Sequence, residues 1–172
     1  MENIKLVPIK ENEKERFIIN IQKSFKKAAV EEFGDNGEEI IPREDIVQSF
    51  NCPGAVTYNI INNEEIVGGL IVAINSDTKC NELLLLFVNV DCHSKGIGYE
   101  AWKAVEALYP DTKVWETATP YFEKRNIHFY VNKCGFHIVE FYNPHHPQSK
   151  CIESTIQGGE YFFRFEKQMT IK

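Results

Sequence analysis

Two apolar periods alternate along this chain. Every-other-residue alternation in "IKLVPI" predicts an opening strand over residues 3–9. Residues 12–33 then place Phe17, Ile18, Ile21, Phe25, Ala28 and Ala29 at helical spacing, with Lys and Glu on the opposite face. "FGDNGEE" breaks that helix, and "PREDIVQSF", with Pro42 near its start, predicts a short second one. "AVTYNIINNEEIVGGLIVAI", residues 55–74, contains two β-rich runs joined around Asn62-Asn63, the pattern of a hairpin.

A continuous apolar run over residues 82–90 has the character of a central strand, buried on both faces. It empties through a polar turn into a helix over 96–108, whose apolar face carries Ile97, Ala101, Trp102, Val105 and Leu108 and which Pro110 ends. "TKVWET" predicts another strand, residues 123–134 a helix closed by Gly135, and "FHIVEFY" and "EYFFRFEK" the last two strands. The order β-α-α-β-β-β-α-β-α-β-β implies an α/β (α+β) fold in one domain spanning 1–172. Its single mixed, mostly antiparallel sheet has helices on both faces and one parallel β-α-β crossover.

Bulk properties narrow the function. With 172 residues, 43% hydrophobic and 26% charged, the chain can bury a core unaided. A net charge of −6 argues against nucleic-acid binding, which needs a basic surface, and mildly favours a cationic partner. Five scattered cysteines without a CxxC pair argue against a disulfide framework or a zinc site and for a reducing compartment. No apolar run reaches the roughly 18 residues that span a bilayer, so a cytoplasmic protein without membrane contact is expected.

The chemistry begins at "DCHSKGIGYEAW". A strand, a Gly-x-Gly turn and a helix start together present unpaired backbone N–H groups and a positive dipole end, which suits phosphate. Lys95 adds a point charge. The pattern is not that of a Walker A loop, which requires Gly-Lys-Ser/Thr after a four-residue gap, nor of a dinucleotide fingerprint. Alone, the two glycines read first as turn-formers.

"VNVDCHSKGIGYEAW" resembles the cofactor motif of the GCN5-related N-acetyltransferases, Arg/Gln-x-x-Gly-x-Gly/Ala after a strand. "RNIHFYVNKCGFHIVEFY" resembles that family's second signature, an Asn, a Tyr one helical turn later, and a Gly-Phe that starts a strand. Both occur in the family's order and separation, and the resemblance covers most of the chain, least so residues 24–54. His93 stands where the family has Arg or Gln.

The resemblance implies acetyl-CoA as cosubstrate, no metal, and transfer of the acetyl group to a primary amine by direct attack in a ternary complex. Its counterpart would be a non-catalytic acyl-CoA-binding or sensing module. It further implies that the backbone of His93, Ser94, Lys95, Gly96, Ile97 and Gly98 holds the diphosphate, that Val88 and Val90 offer main-chain contacts to the pantetheine arm beside a strand bulge, and that Asn126 contacts the cofactor. Tyr130 reads either as a core aromatic or as the acid that protonates the leaving thiolate. Glu82 and Glu116 are each either the amine's base or a solvated strand-end carboxylate.

Outside these motifs, His145-His146 between two prolines reads as a surface loop rather than a metal pair, and His128 and His137 as structural. The acidic set Glu31, Glu32, Asp35, Glu38 and Glu39 is either a solvated loop or an attractor for a cationic amine. "EYFFRFEK" is expected at a sheet edge, where it would pair two copies in a homodimer.

Overall fold

The computed structural model describes residues 3–35, 41–92, 96–148 and 161–170. The expected phosphate-turn residues His93, Ser94 and Lys95, and Glu38 and Glu39 of the acidic set, lie outside them. The elements are β1 (Ile4–Pro8), α1 (Lys14–Phe33), α2 (Arg43–Phe50), β2 (Ala55–Asn62), β3 (Glu65–Ala73), β4 (Cys80–Val88), α3 (Ile97–Leu108), β5 (Val114–Pro120), α4 (Lys124–His128), β6 (His137–Tyr142) and β7 (Phe162–Gln168). They follow the order read from the sequence.

The seven strands form one sheet in the order β1-β2-β3-β4-β5-β7-β6. Every neighbouring pair is antiparallel except β4 and β5, which α3 joins as the crossover. The β2–β3 hairpin turns at Asn63 and Glu64, with φ of 49° and 70°, the left-handed pair that suits the twist of a two-residue hairpin.

Alternation along the strands divides the core in two. On one face Ile60, Leu70, Leu83, Trp115 and Phe165 pack beneath α3, whose Trp102 is 1% exposed and meets Trp115 edge-on at 5.1 Å. On the other, Ile71 and Phe87 pack beneath Phe17, Ile18 and Ile21 of α1 and Ile46 of α2.

Three expectations change in detail. The strand expected to reach residue 90 ends at Val88, because Asn89 makes the last ladder bond to Val67 and Cys92 N–H folds back onto the Asn89 carbonyl. Val90 therefore lies in a one-turn 3-10 segment, not in the strand. The helix expected over 123–134 is α-helical only as far as His128 and continues as a π turn, Phe129–Lys133. β7 is not an edge strand, since it pairs with both β5 and β6; the sheet edge on that side is β6.

Candidate active site

The site starts where two parallel strands part. β4 and β5 pair only from Cys80↔Val114 to Leu83↔Thr117, yet β4 runs on to Val88 and β5 to Pro120. The Thr117 hydroxyl donates to the Leu83 carbonyl at 2.9 Å, closing the ladder at the point of divergence. A bulge in the β3–β4 pairing falls at the same place, since Ile71 opposes Leu85 while Val72 opposes Leu83. The extra residue, Leu84, packs on the α1 face together with Leu85, whereas Leu83 and Leu86 pack on the α3 face.

Because Asn89 N–H bonds to Val67, the alternate residues Leu86 and Val88 turn their backbone groups away from β3, towards the gap. There the Val88 carbonyl accepts a hydrogen bond from the Ser24 hydroxyl of α1 at 3.1 Å.

Gly96 precedes α3 with φ 73° and ψ 5°, a left-handed conformation that a side chain would strain. At Gly98 a β-carbon would meet the Phe129 ring at 3.5 Å and Val88 Cγ2 at 3.8 Å, ordinary contact, so a longer side chain there would extend into the groove. The helix start, the end of β4 and the π turn thus converge on one groove, which Gly96, Ile97, Gly98 and Tyr99 line at the start of α3.

Tyr130 stands in the π turn, where Cys134 N–H reaches back five residues to the Phe129 carbonyl at 2.9 Å. Such turns displace the helix face locally and recur at functional sites. The Tyr130 ring is a core aromatic, 6% exposed, packed on Phe129, Phe136 and Phe165 at centroid distances of 5.4, 5.7 and 5.6 Å. Its phenol is shifted well above the ordinary tyrosine range, mainly by burial, with Cys134 and Glu123 adding to the rise and a hydrogen bond with Thr117 opposing it. Asn126, one turn earlier, donates to the Thr119 hydroxyl at 3.3 Å.

Two cavities meet at this tyrosine. A groove of about 630 Å³ is lined by Val88, Gly96, Ile97, Gly98, Asn126 and Tyr130, and a smaller cavity of about 110 Å³ adjoins it. Phe25, Leu86, Glu123, Asn126 and Tyr130 belong to both. Their charges differ in sign. The groove carries Lys27, Lys133 and Arg125, the last paired with Glu31 at 3.7 Å, against the shared Glu123, and the small cavity carries Asp45, Glu82 and Glu123 with no described Lys, Arg or His. A groove with cations, a helix start and outward-turned strand amides fits a long ligand with phosphates at one end and an amide-bearing arm at the other.

The remaining expected residues are placed apart. Val90 lines neither cavity. Glu116 is also absent from both linings; its carboxylate is held at 3.0 Å by Arg164, which also binds Glu140 and Glu166. His146 pairs with Glu140 at 2.6 Å and stacks on Tyr142, a surface arrangement. Among the described residues no group of three or more His, Cys, Asp or Glu side chains converges as for a metal, and no helix is long and apolar enough to cross a membrane.

Sequence reasoning missed Ser24, Lys27, Asp45, Glu123, Arg125 and Lys133, all of which line the cavities. For Lys133 a signal existed: it follows Asn126 at i+7 and Tyr130 at i+3, on one helix face. Glu123, Asp45 and Ser24 had none, because separate elements bring them together.

Residues 20–136 match the model of the acetyltransferase (GNAT) family. The chain belongs to that family. The uncharacterized protein YrkN of Bacillus subtilis (strain 168) is 50% identical over 170 residues, covering 95% of this chain and 92% of that protein. Among solved structures, an acetyltransferase from Thermus thermophilus superposes with a TM-score of 0.66 at 16% identity, over 98% of this chain and 100% of that one. The PaiA N-acetyltransferase of Thermoplasma acidophilum in complex with coenzyme A gives 0.66 at 15% identity, over 97% and 99%. An Elizabethkingia anophelis GNAT acetyltransferase with acetyl-CoA bound gives 0.66 at 16% identity, over 97% and 99%. The chemistry of this GNAT chain is, in general terms, acetyl transfer from acetyl-CoA.

Proposed function

We propose that this protein transfers the acetyl group of acetyl-CoA to a primary amine by direct attack, with both substrates bound at once. The observation that carries the reading is the meeting of two oppositely charged cavities at Tyr130. The cationic groove takes the cofactor, its diphosphate at the α3 start and its arm along the Leu86–Val88 backbone. The thioester then lies at the parting of β4 and β5, and the acidic cavity delivers the amine from the other side.

In the transfer, the amine nitrogen bonds to the acetyl carbon, the carbon–sulfur bond breaks, and coenzyme A leaves as a thiolate. Tyr130 gives that thiolate its proton and is reprotonated from solvent. Burial keeps the phenol protonated, as a donor must be. An amine with a pKa near 10.4 arrives protonated, so its proton needs an acceptor. Glu123, which lines both cavities where the amine meets the thioester, takes that part in preference to Glu116, which lines neither, and to Glu82, which lines the acceptor cavity alone.

Release of free thiol from acetyl-CoA against a panel of primary amines tests the proposal. Amine-dependent release is expected. Calorimetric binding of acetyl-CoA without release on any amine would overturn it in favour of a non-catalytic acyl-CoA-binding module.

A further inference from the structure

The acceptor cavity has a composition that specifies more than an amine. Its walls are largely apolar, with Phe25, Ile41, Leu84, Pro120, Phe122 and Phe162 among them. Into these walls three carboxylates are set, each from a different part of the fold: Asp45 in the first turn of α2, Glu82 near the start of β4, and Glu123 immediately before α4. Asp45 is 6% exposed and Glu123 9%.

Their positions differ with respect to the reaction. Glu123 also lines the cofactor groove and lies close enough to Tyr130 to raise its phenol electrostatically, so it marks the reacting end. Asp45 and Glu82 line the acceptor cavity alone. An ionised carboxylate offers about four lone-pair sites, so each can take a ligand ammonium in addition to the protein groups it already meets. A ligand that places positive charge at both ends and methylenes between them satisfies the carboxylates and the apolar walls together.

We propose that the acceptor is a short aliphatic diamine without an acid group, its reacting amine beside Glu123 and Tyr130 and its distal ammonium held by Asp45 and Glu82. This rests on the transfer reading above. At about 110 Å³ the cavity is the smaller of the two and suits a short ligand. A carboxylate on the acceptor would be desolvated among three others, which disfavours α-amino acids.

Three acceptors that differ by one group decide the matter: 1,5-diaminopentane, pentylamine, which lacks the distal ammonium, and lysine, which adds a carboxylate. The diamine should exceed each of the other two in kcat/KM by about tenfold or more. Asp45→Asn and, separately, Glu82→Gln should reduce the diamine-to-pentylamine ratio several-fold. Because the ratio is taken within one preparation, a smaller folded fraction does not affect it. Calorimetry on the coenzyme A-loaded protein supplies a second reading, with the diamine expected to bind about tenfold more tightly than pentylamine.

Pentylamine or lysine equal to the diamine in both turnover and binding would overturn the proposal, as would ratios unchanged in both variants. Thiol release on other amines but none of these three overturns the diamine assignment and leaves the transferase. Diamine-selective binding with no thiol release from acetyl-CoA upholds the cavity assignment and removes the transfer reading.

Discussion

Tyr130→Phe separates the packing of this side chain from the proton donation proposed for it. The substitution keeps the ring and its packing on Phe129, Phe136 and Phe165, and removes only the hydroxyl. Thr117 retains its own bond to the Leu83 carbonyl, so the change strands no donor there. The stability cost is then that of one buried hydrogen bond, about 0.5–1.5 kcal/mol. Lost proton donation to the thiolate should lower kcat by about 10²–10⁴-fold, equivalent to roughly 2.7–5.5 kcal/mol of barrier. The acetyl-CoA KM should change by less than about threefold, since the cations of the groove and the start of α3 are untouched.

The assay is thiol release at saturating acceptor, repeated across pH. Burial raises the phenol pKa, so the donor form persists through the ordinary tyrosine titration. Wild-type kcat should therefore rise to a plateau and hold it to about pH 10 rather than fall. The variant should show the same rising limb with a far lower plateau. A Tyr130→Phe protein within threefold of wild type at every pH would refute the assignment; a wild-type alkaline loss near pH 10 that the variant lacks would instead contradict the upward shift of the phenol.

Two further outcomes follow from particular contacts. Gly98→Leu replaces a helical glycine by a better helix former, worth up to about 1 kcal/mol of stability, while sending a side chain between Phe129 and Val88 into the groove. Thermal stability should be kept or raised as the acetyl-CoA KM increases tenfold or more, and an unaltered KM would remove the groove from cofactor binding. Glu140, bound by His146, Arg164 and Tyr142, has its carboxyl pKa lowered from 4.5 to about 2, the His146 bond contributing most. A depressed folded-state pKa stabilises above the unfolded value and is lost as pH falls through the folded one. The Tm gap between wild type and Glu140→Gln should therefore be full above pH 5 and close towards pH 2; a gap independent of pH would contradict the pairing.

Much of this molecule was legible along the chain because its signals are local. Strand alternation, the helical spacing of α1 and α3, the hairpin turn near Asn62-Asn63, the left-handed need at Gly135, and the two signatures around Gly96–Gly98 and Asn126–Tyr130 each lie within a few residues. They determined the order of elements, the mixed sheet and the start of α3. The misplacements were non-local. Whether "EYFFRFEK" lies inside the sheet or at its edge depends on which strand β6 chooses as a partner, and its own residues read the same in either place. The point where β4 stops depends on its ladder with β3, a pairing of residues some twenty positions apart.

The chemistry divides in the same way. Sequence by itself determined that a Gly-x-Gly turn opens a helix and that a tyrosine and an asparagine share a helix face, since backbone geometry over one or two turns is set by near neighbours. Only the tertiary structure decided that Glu123, Asp45 and Glu82 face one small cavity while Lys27, Arg125 and Lys133 face another. It also turned Glu116 onto Arg164, from a strand distant in sequence. The physical reason is that a charge acts through the space around it, and in this chain that space is filled from α1, α2, β4, β5 and α4 at once.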